Sequence, residues 1–134
     1  MLIHSETEML DYGKKFGAGL KAPLVLELLG DVGAGKTTFV RGLAKGLGVA
    51  EEVTSPSFTI SKEYQGKSAR LVHYDFYRLA DPGIMAEDLA ESISDPNTIT
   101  VIEWGNTIQD VLPPEHKIIE IKYINETTRE LIKK

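Results

Sequence analysis

One short stretch constrains the fold of this chain more than any other. Gly30-Asp-Val-Gly-Ala-Gly-Lys-Thr37 fits the spacing Gly-x-x-x-x-Gly-Lys-Thr at every fixed position. It follows the apolar run Leu24–Leu29, which predicts a buried strand. A strand, a glycine-rich turn and an amphipathic helix in that order predict an α/β fold. The helix carries four apolar side chains at helical spacing: Phe39, Val40, Leu43 and Leu47.

The residue types in this stretch favour phosphate binding. Its glycines let the backbone bend and let N–H groups approach phosphate oxygens, and the following helix directs its positive end at the same oxygens. Lys36 can reach β- and γ-phosphates, and the Thr37 hydroxyl can ligate Mg²⁺, which takes few protein ligands. The alternative is a glycine-rich turn with an incidental lysine. The predicted nucleotide contacts are Asp31, Val32, Gly33, Ala34, Gly35, Lys36, Thr37 and Thr38.

A phosphate-binding loop needs a carboxylate that holds Mg²⁺ or orients water, and two acids are candidates. Glu103 ends the β-branched strand Thr98–Glu103, at the sheet edge where ligands of open α/β sheets bind. Asp75 ends the predicted strand Arg70–Asp75, with Leu71 and His73 on the same face. Each acid can instead be a solvated strand end.

Other residues carry less specific signals. His73 can polarise a ligand or serve as a hydrogen-bonded structural histidine. Arg78 can stabilise phosphate charge or pair with Asp75. Trp104 can pack over the nucleotide or fill the core, and Ser55–Thr59 can be a switch loop or a plain surface connection.

Composition excludes several classes of protein. The chain has 134 residues, 42% hydrophobic and 26% charged, which suits one domain spanning 1–134. The absence of cysteine excludes disulfides and thiolate chemistry. The net charge of −5 argues against autonomous binding to nucleic acid. With no secretion signal and no bilayer-length apolar run, a soluble, cytoplasmic protein without membrane contact is expected.

The remaining pattern predicts helices around one sheet. A helix over about Glu6–Leu20 begins with a Ser5/Glu8 capping box. Gly48 is expected to stop the helix after the glycine-rich turn. The other predicted elements are a hairpin of Thr59–Tyr64 and Arg70–Asp75, a turn at Asp81–Gly83, a helix over Ile84–Ile93, the strand Thr98–Glu103, and a closing hairpin of Lys117–Ile124 and Thr128–Ile132.

Taken in order, the motifs resemble one family from about Ser5 to Leu131. Those motifs are Gly30–Phe39 with Arg41-Gly42, Ser55-Pro-Ser-Phe58, His73-Tyr-Asp-Phe-Tyr-Arg-Leu79 and Ile102-Glu-Trp104. They resemble the bacterial ATPase subunit of the tRNA threonylcarbamoyladenosine machinery (TsaE, formerly YjeE). Four motifs together are far more specific than the phosphate-binding loop alone.

The resemblance implies a single P-loop NTPase-type domain, with a mixed parallel and antiparallel sheet and flanking helices. It implies ATP and Mg²⁺ as cofactors and an ATPase activity that is weak without partners. The implied partners are of the TsaD and TsaB type. They transfer a threonylcarbamoyl group to the adenosine 3′ of the anticodon, and this chain meets tRNA only through the complex.

The resemblance also assigns roles at matching positions. It implies that Lys36 is the phosphate-loop lysine, that Thr37 and Glu103 are magnesium ligands, and that Asp75 is needed for hydrolysis. The family's tryptophan near the nucleotide matches Trp104. Its nucleotide-contacting arginine in the last hairpin matches Arg129, although Thr128 replaces the glycine that usually precedes it; the loop usually written SPTF has Ser57 in third place.

Three functions follow from these residues. The first is an ATPase subunit whose catalytic residues are Lys36, Asp75 and Glu103. The second is a small P-loop kinase of a small molecule or nucleoside, with Asp75 as general base, although so short a chain leaves little room for an acceptor pocket. The third is a nucleotide-gated binding module without hydrolysis.

Overall fold

The computed structural model describes five stretches of the chain, numbered 1–31, 33–54, 61–76, 86–104 and 109–134. Several sequence predictions lie outside these residues: Val32, the Ser55–Thr59 loop, Arg78, the turn Asp81–Gly83 and the start of the helix at Ile84.

The described residues form strands and helices that alternate along the chain. In chain order these are β1 (Leu2–Ile3), α1 (Glu6–Ala18), β2 (Leu24–Leu29), α2 (Lys36–Gly46), β3 (Ser61–Gln65), β4 (Arg70–Asp75), α3 (Ala86–Ser94), β5 (Thr98–Glu103), a 3₁₀ turn (Gln109–Val111), β6 (Lys117–Tyr123) and β7 (Arg129–Lys133).

One mixed sheet holds all the described strands, in the order β1-β7-β6-β2-β5-β4-β3. The four central strands are parallel: β2 pairs with β5 and β6, and β5 pairs with β4. The outer strands are antiparallel additions, with β3 on β4, β7 on β6 and β1 on β7. The predicted mixed sheet is confirmed. The carboxyl ends of β2, β4 and β5 meet at one edge of it.

Apolar clusters cover both faces of the sheet. On one face α1 and α2 pack over the larger cluster, which includes Met9, Phe39 and Leu28. On the other face lies a smaller cluster with Leu89 of α3 and Leu112. Strand alternation explains this division, because neighbouring residues of β2, Val25 and Leu26, belong to opposite clusters.

Helix ends follow the sequence signals closely. Ser5 caps α1, its hydroxyl accepting the Glu8 backbone N–H at 3.0 Å. The helix ends at Ala18 rather than Leu20, because the Gly19 N–H already bonds back to Phe16 at 3.2 Å. Gly48 has the left-handed φ of 82° that was predicted for the stop of α2.

The closing hairpin is shifted from its predicted bounds. Its strands are Lys117–Tyr123 and Arg129–Lys133, so Ile124 and Thr128 belong to the turn. The Asn125 carboxamide oxygen accepts hydrogen bonds from the N–H groups of Thr127 and Thr128 at 3.0 and 2.9 Å, which stabilises the turn.

Helix lengths bear on membrane insertion. No helix among the described residues has both the length and the apolar character needed to traverse a bilayer.

Candidate functional site

The glycine-rich loop lies between the end of β2 and the start of α2. Three of its glycines have positive φ: 150° at Gly30, 83° at Gly33 and 105° at Gly35. A Cβ at Gly30 would also lie 2.6 Å from the Ile121 carbonyl oxygen. The backbone therefore requires glycine here for conformational reasons, as the sequence predicts. Gly35 caps α2 without a side-chain hydrogen bond, so no side chain competes for the N–H groups that open the helix.

Lys36 folds back under this loop. It is only 5% exposed, and its ammonium group donates to the Gly30 carbonyl at 2.7 Å. Nζ also lies 3.7 Å from Glu103 Oε1. Burial lowers the pKa of Lys36, while the charges of Glu103, Asp75 and Asp31 oppose that shift. The negative charges of three carboxylates therefore act on this ammonium group.

Glu103 and Asp75 lie side by side at the carboxyl edge of the sheet. They are register partners on the neighbouring parallel strands β5 and β4. Glu103 is 3% exposed, and its second oxygen contacts Nε2 of His73. A buried carboxylate is stable here because it has both a cation and a ring nitrogen beside it. The sheet thus brings together the two acids that the sequence predicted separately.

Trp104 follows Glu103 directly and has an unusual backbone. Its φ of 58° is left-handed, a region that a bulky residue rarely adopts. The turn places the indole ring under Lys36, with Nζ 4.0 Å from the ring centroid. Trp104 also packs against the smaller apolar cluster. The ring therefore borders both the loop lysine and the core, and its packing over a nucleotide stays a prediction.

Arg129 contacts the loop itself. From β7 its Nε donates to Ala34 O at 3.1 Å and one terminal nitrogen to Gly33 O at 3.4 Å. The other terminal nitrogen donates to Asn125 O at 2.6 Å, and the guanidinium stacks 4.6 Å from the Tyr123 ring centroid. Arg129 therefore holds the outward carbonyls of the loop, and its nucleotide contact stays a prediction.

Replacing Arg129 with methionine is expected to lower the free energy of unfolding by about 2 kcal/mol, since several hydrogen bonds worth roughly 1 kcal/mol each are lost. Urea denaturation measures the change. The control is Lys122→Met on the adjacent strand, where exposure predicts a change within about 0.5 kcal/mol. Equal effects of the two substitutions would show that the contacts with Gly33 and Ala34 contribute nothing.

Two open cavities flank the loop. One, of about 420 Å³, is bounded by Ser5, Met9, Gly33, Gly35, Thr38 and Arg129; we call it the hairpin pocket. The other, of about 550 Å³, is bounded by Gly30, Asp31, Trp104, Ile121 and Tyr123; we call it the tryptophan cleft. The predicted residues Thr37 and Thr38 lie half-buried in the first turn of α2, Ala34 is buried and Asp31 is exposed.

Besides the contacts of Arg129 with the loop carbonyls, two features of the site were not predicted. The start of α1 lines the hairpin pocket beside the last turn of the sheet, although these segments are at opposite ends of the chain. The contact between His73 and Glu103 was the second. One sequence pattern could have indicated that contact. The alternation of side chains along the two predicted strands puts His73 and Glu103 on the same face of the sheet, the one that α1 and α2 cover.

Comparison with known proteins identifies the family. A family model described as threonylcarbamoyl adenosine biosynthesis protein TsaE matches residues 3–131. The chain belongs to the TsaE family. The tRNA threonylcarbamoyladenosine biosynthesis protein TsaE of Haemophilus influenzae is 35% identical over 129 residues, which cover 92% of this chain and 82% of that protein.

Other TsaE proteins agree with this membership. The Bacillus subtilis TsaE is 43% identical over 108 residues, covering 80% of this chain and 66% of that protein. The crystal structure of Bacillus subtilis YdiB has a TM-score of 0.80 at 33% identity, over 98% of this chain and 80% of that one. The P-loop NTPase-type fold predicted for a TsaE family member is thus confirmed.

Proposed function

We propose that this TsaE family member binds ATP with Mg²⁺ on the Gly30–Thr38 loop and hydrolyses it. In this proposal it is the ATPase subunit of the complex that forms threonylcarbamoyladenosine next to the anticodon of tRNA. Its partners are proteins of the TsaD and TsaB type, and tRNA is bound through the complex. The names of the relatives support the pathway, and the site geometry supports the chemistry.

One observation carries the chemical part of the proposal. Lys36 and Glu103, which come from different elements, approach within 3.7 Å beneath a loop whose three glycines have positive φ. Both residues are buried, with 5% of the Lys36 surface and 3% of the Glu103 surface exposed. A buried ion pair costs desolvation energy, so its placement at a ligand edge favours a role in binding.

The residues present fit Mg²⁺ as a cofactor shared with a nucleotide. The Thr37 hydroxyl and the Glu103 carboxylate are the hard oxygen donors that this ion prefers. Among the described residues, no cluster of three or more His, Asp or Glu side chains could hold a metal alone. That fits an ion held by few protein ligands plus phosphate oxygens. When bound, it would supply positive charge at the terminal phosphates.

Residues of the chain itself are assigned the remaining roles: phosphate binding, water positioning and nucleoside binding. The loop N–H groups and the start of α2 bind phosphate, and Lys36 stabilises the negative charge there. Asp75 is assigned to accept a hydrogen bond from water at the same edge, and its register pairing with Glu103 supports that role. Nucleoside contacts are assigned to the hairpin pocket, because it is lined by Gly33, Gly35 and Thr38 of the loop region and by Arg129. Positioning and charge stabilisation are sufficient for phosphoryl transfer.

The two acids should separate in function. Asp75→Asn is expected to leave Mg²⁺-dependent nucleotide affinity unchanged and to lower partner-stimulated hydrolysis at least about tenfold, as loss of a water-positioning group does. Glu103→Gln is expected to weaken the Mg²⁺ dependence of binding itself. Calorimetry and phosphate release measure the two effects, with Glu63→Gln, an exposed acid of β3, as the isosteric control. Normal hydrolysis by Asp75→Asn with partners present would remove the role given to Asp75.

A further inference from the structure

His73 is a buried group that the proposed chemistry does not yet use. It lies within β4 with no exposed surface, between strands that end at the candidate site. Its Nε2 contacts Oε2 of Glu103, whose other oxygen, Oε1, is near Lys36. Each oxygen of this carboxylate therefore has its own neighbour.

The other ring nitrogen identifies the tautomer. In the stretches that the structure describes, His73 Nδ1 is buried and has no hydrogen-bond partner. A proton on Nδ1 would leave a buried donor unsatisfied, whereas a proton on Nε2 is donated directly to Glu103. The tautomer with its proton on Nε2 is therefore favoured over the tautomer with its proton on Nδ1, and it donates a hydrogen bond to the carboxylate.

A carboxylate in this position needs such a donor. The terminal torsion of glutamate is broad, so packing alone does not fix the direction of its oxygens. Lys36 is 3.7 Å away, a distance that attracts the carboxylate but does not orient it as a short hydrogen bond does. His73 is the side chain that holds Oε2 and so directs Oε1 toward the loop.

We propose that His73 is a positioning residue that orients the Glu103 carboxylate for the Mg²⁺ of the bound nucleotide. The inference rests on the proposed function, because it requires Glu103 to meet that ion. Residues that orient metal ligands typically contribute 10–100-fold to metal affinity. The expected consequence of losing His73 is a higher Mg²⁺ requirement at unchanged affinity for Mg²⁺-free nucleotide.

The experiment measures binding rather than turnover. Calorimetric titrations with a non-hydrolysable ATP analogue at increasing Mg²⁺ give the concentration at which half of the Mg²⁺-dependent gain in affinity is reached. His73→Leu should raise that concentration at least about tenfold. His73→Gln should stay within about threefold of the parent, because its amide N–H can occupy the position of Nε2–H. His73→Asn, whose shorter amide corresponds to Nδ1, should behave like leucine.

Tyr74→Phe is the matched control. Tyr74 is the next residue of β4, equally buried, and its hydroxyl bonds to Asp88 and Ser92 on the opposite face. Its removal should lower the melting temperature and leave the Mg²⁺ requirement unchanged. If His73→Leu does not fold, the difference between the glutamine and asparagine variants decides the question.

The outcomes separate the two proposals. If the nucleotide affinity of the parent protein does not depend on Mg²⁺, both the proposed function and this inference are overturned. If the affinity of the parent depends on Mg²⁺ but His73→Leu reaches half of its gain in affinity at the same Mg²⁺ concentration, only the role of His73 is overturned. Equal impairment of the glutamine and leucine variants would also overturn it.

Discussion

Lys36→Ala is expected to lower partner-stimulated ATP hydrolysis by about 1,000-fold, the upper range for removal of one preorganised group that stabilises transition-state charge. The reason is that Lys36 is the buried cation beneath the loop, with its ammonium group 2.7 Å from the Gly30 carbonyl. The substitution also leaves Glu103 buried without its cation. Release of labelled phosphate under single-turnover conditions measures the effect.

Lys45→Ala is the control for that experiment. Lys45 lies in the last turn of the same helix, exposed and distant from the loop, so its removal should change the rate less than about twofold. If Lys36→Ala retained a rate within tenfold of the parent while folded, Lys36 would not be the group that stabilises phosphate charge.

Gly42→Ala is expected to destabilise the fold by about 3 kcal/mol, the upper range for overpacking a tight contact. A Cβ at Gly42 would lie closer than 3.0 Å to the Leu10 backbone oxygen and 3.1 Å from Gly13 Cα. The same close approach occurs from the other helix, because a Cβ added at Gly13 would lie 2.5 Å from the Phe39 backbone oxygen. Helices α1 and α2 thus touch through their backbones. Thermal denaturation should show a melting temperature lower by roughly 10 °C.

Gly19→Ala tests whether any glycine substitution has that effect. Gly19 is the cap of α1, with right-handed φ and ψ, and its nearest neighbours to a Cβ are at 3.7 and 3.8 Å. This variant should therefore melt within about 2 °C of the parent. Alanine favours helix over glycine by about 1 kcal/mol, so a Gly42→Ala protein more stable than the parent would contradict the close packing of α1 on α2.

Local sequence signals predicted the central elements of this fold well. The strands Leu24–Leu29, Arg70–Asp75 and Thr98–Glu103 have their predicted bounds, because buried apolar or β-branched runs with clear breakers define them. Strand order was not predictable in this way. The pairing of β1 with β7 and of β2 with β6 joins segments far apart in sequence, and a two-residue strand has no periodicity to detect.

The site shows the same division. Motif chemistry indicated Lys36 and Glu103, and the structure places them 3.7 Å apart. Motif chemistry did not indicate that Arg129 would bind the carbonyls of Ala34 and Gly33. That contact depends on the position of β7 beside the loop. The sequence also could not predict the contact of His73 with Glu103, because that contact depends on the register of β4 against β5.

The most direct test follows the γ-phosphate of labelled ATP with the chain alone and with TsaD- and TsaB-type partners, with and without tRNA. We expect slow phosphate release by the chain alone, faster release with the partners, and no requirement for a small acceptor molecule. Label appearing on a small acceptor would instead identify a kinase. ATP that stays intact for hours in the full complex would contradict hydrolysis and leave the chain a nucleotide-gated binding module.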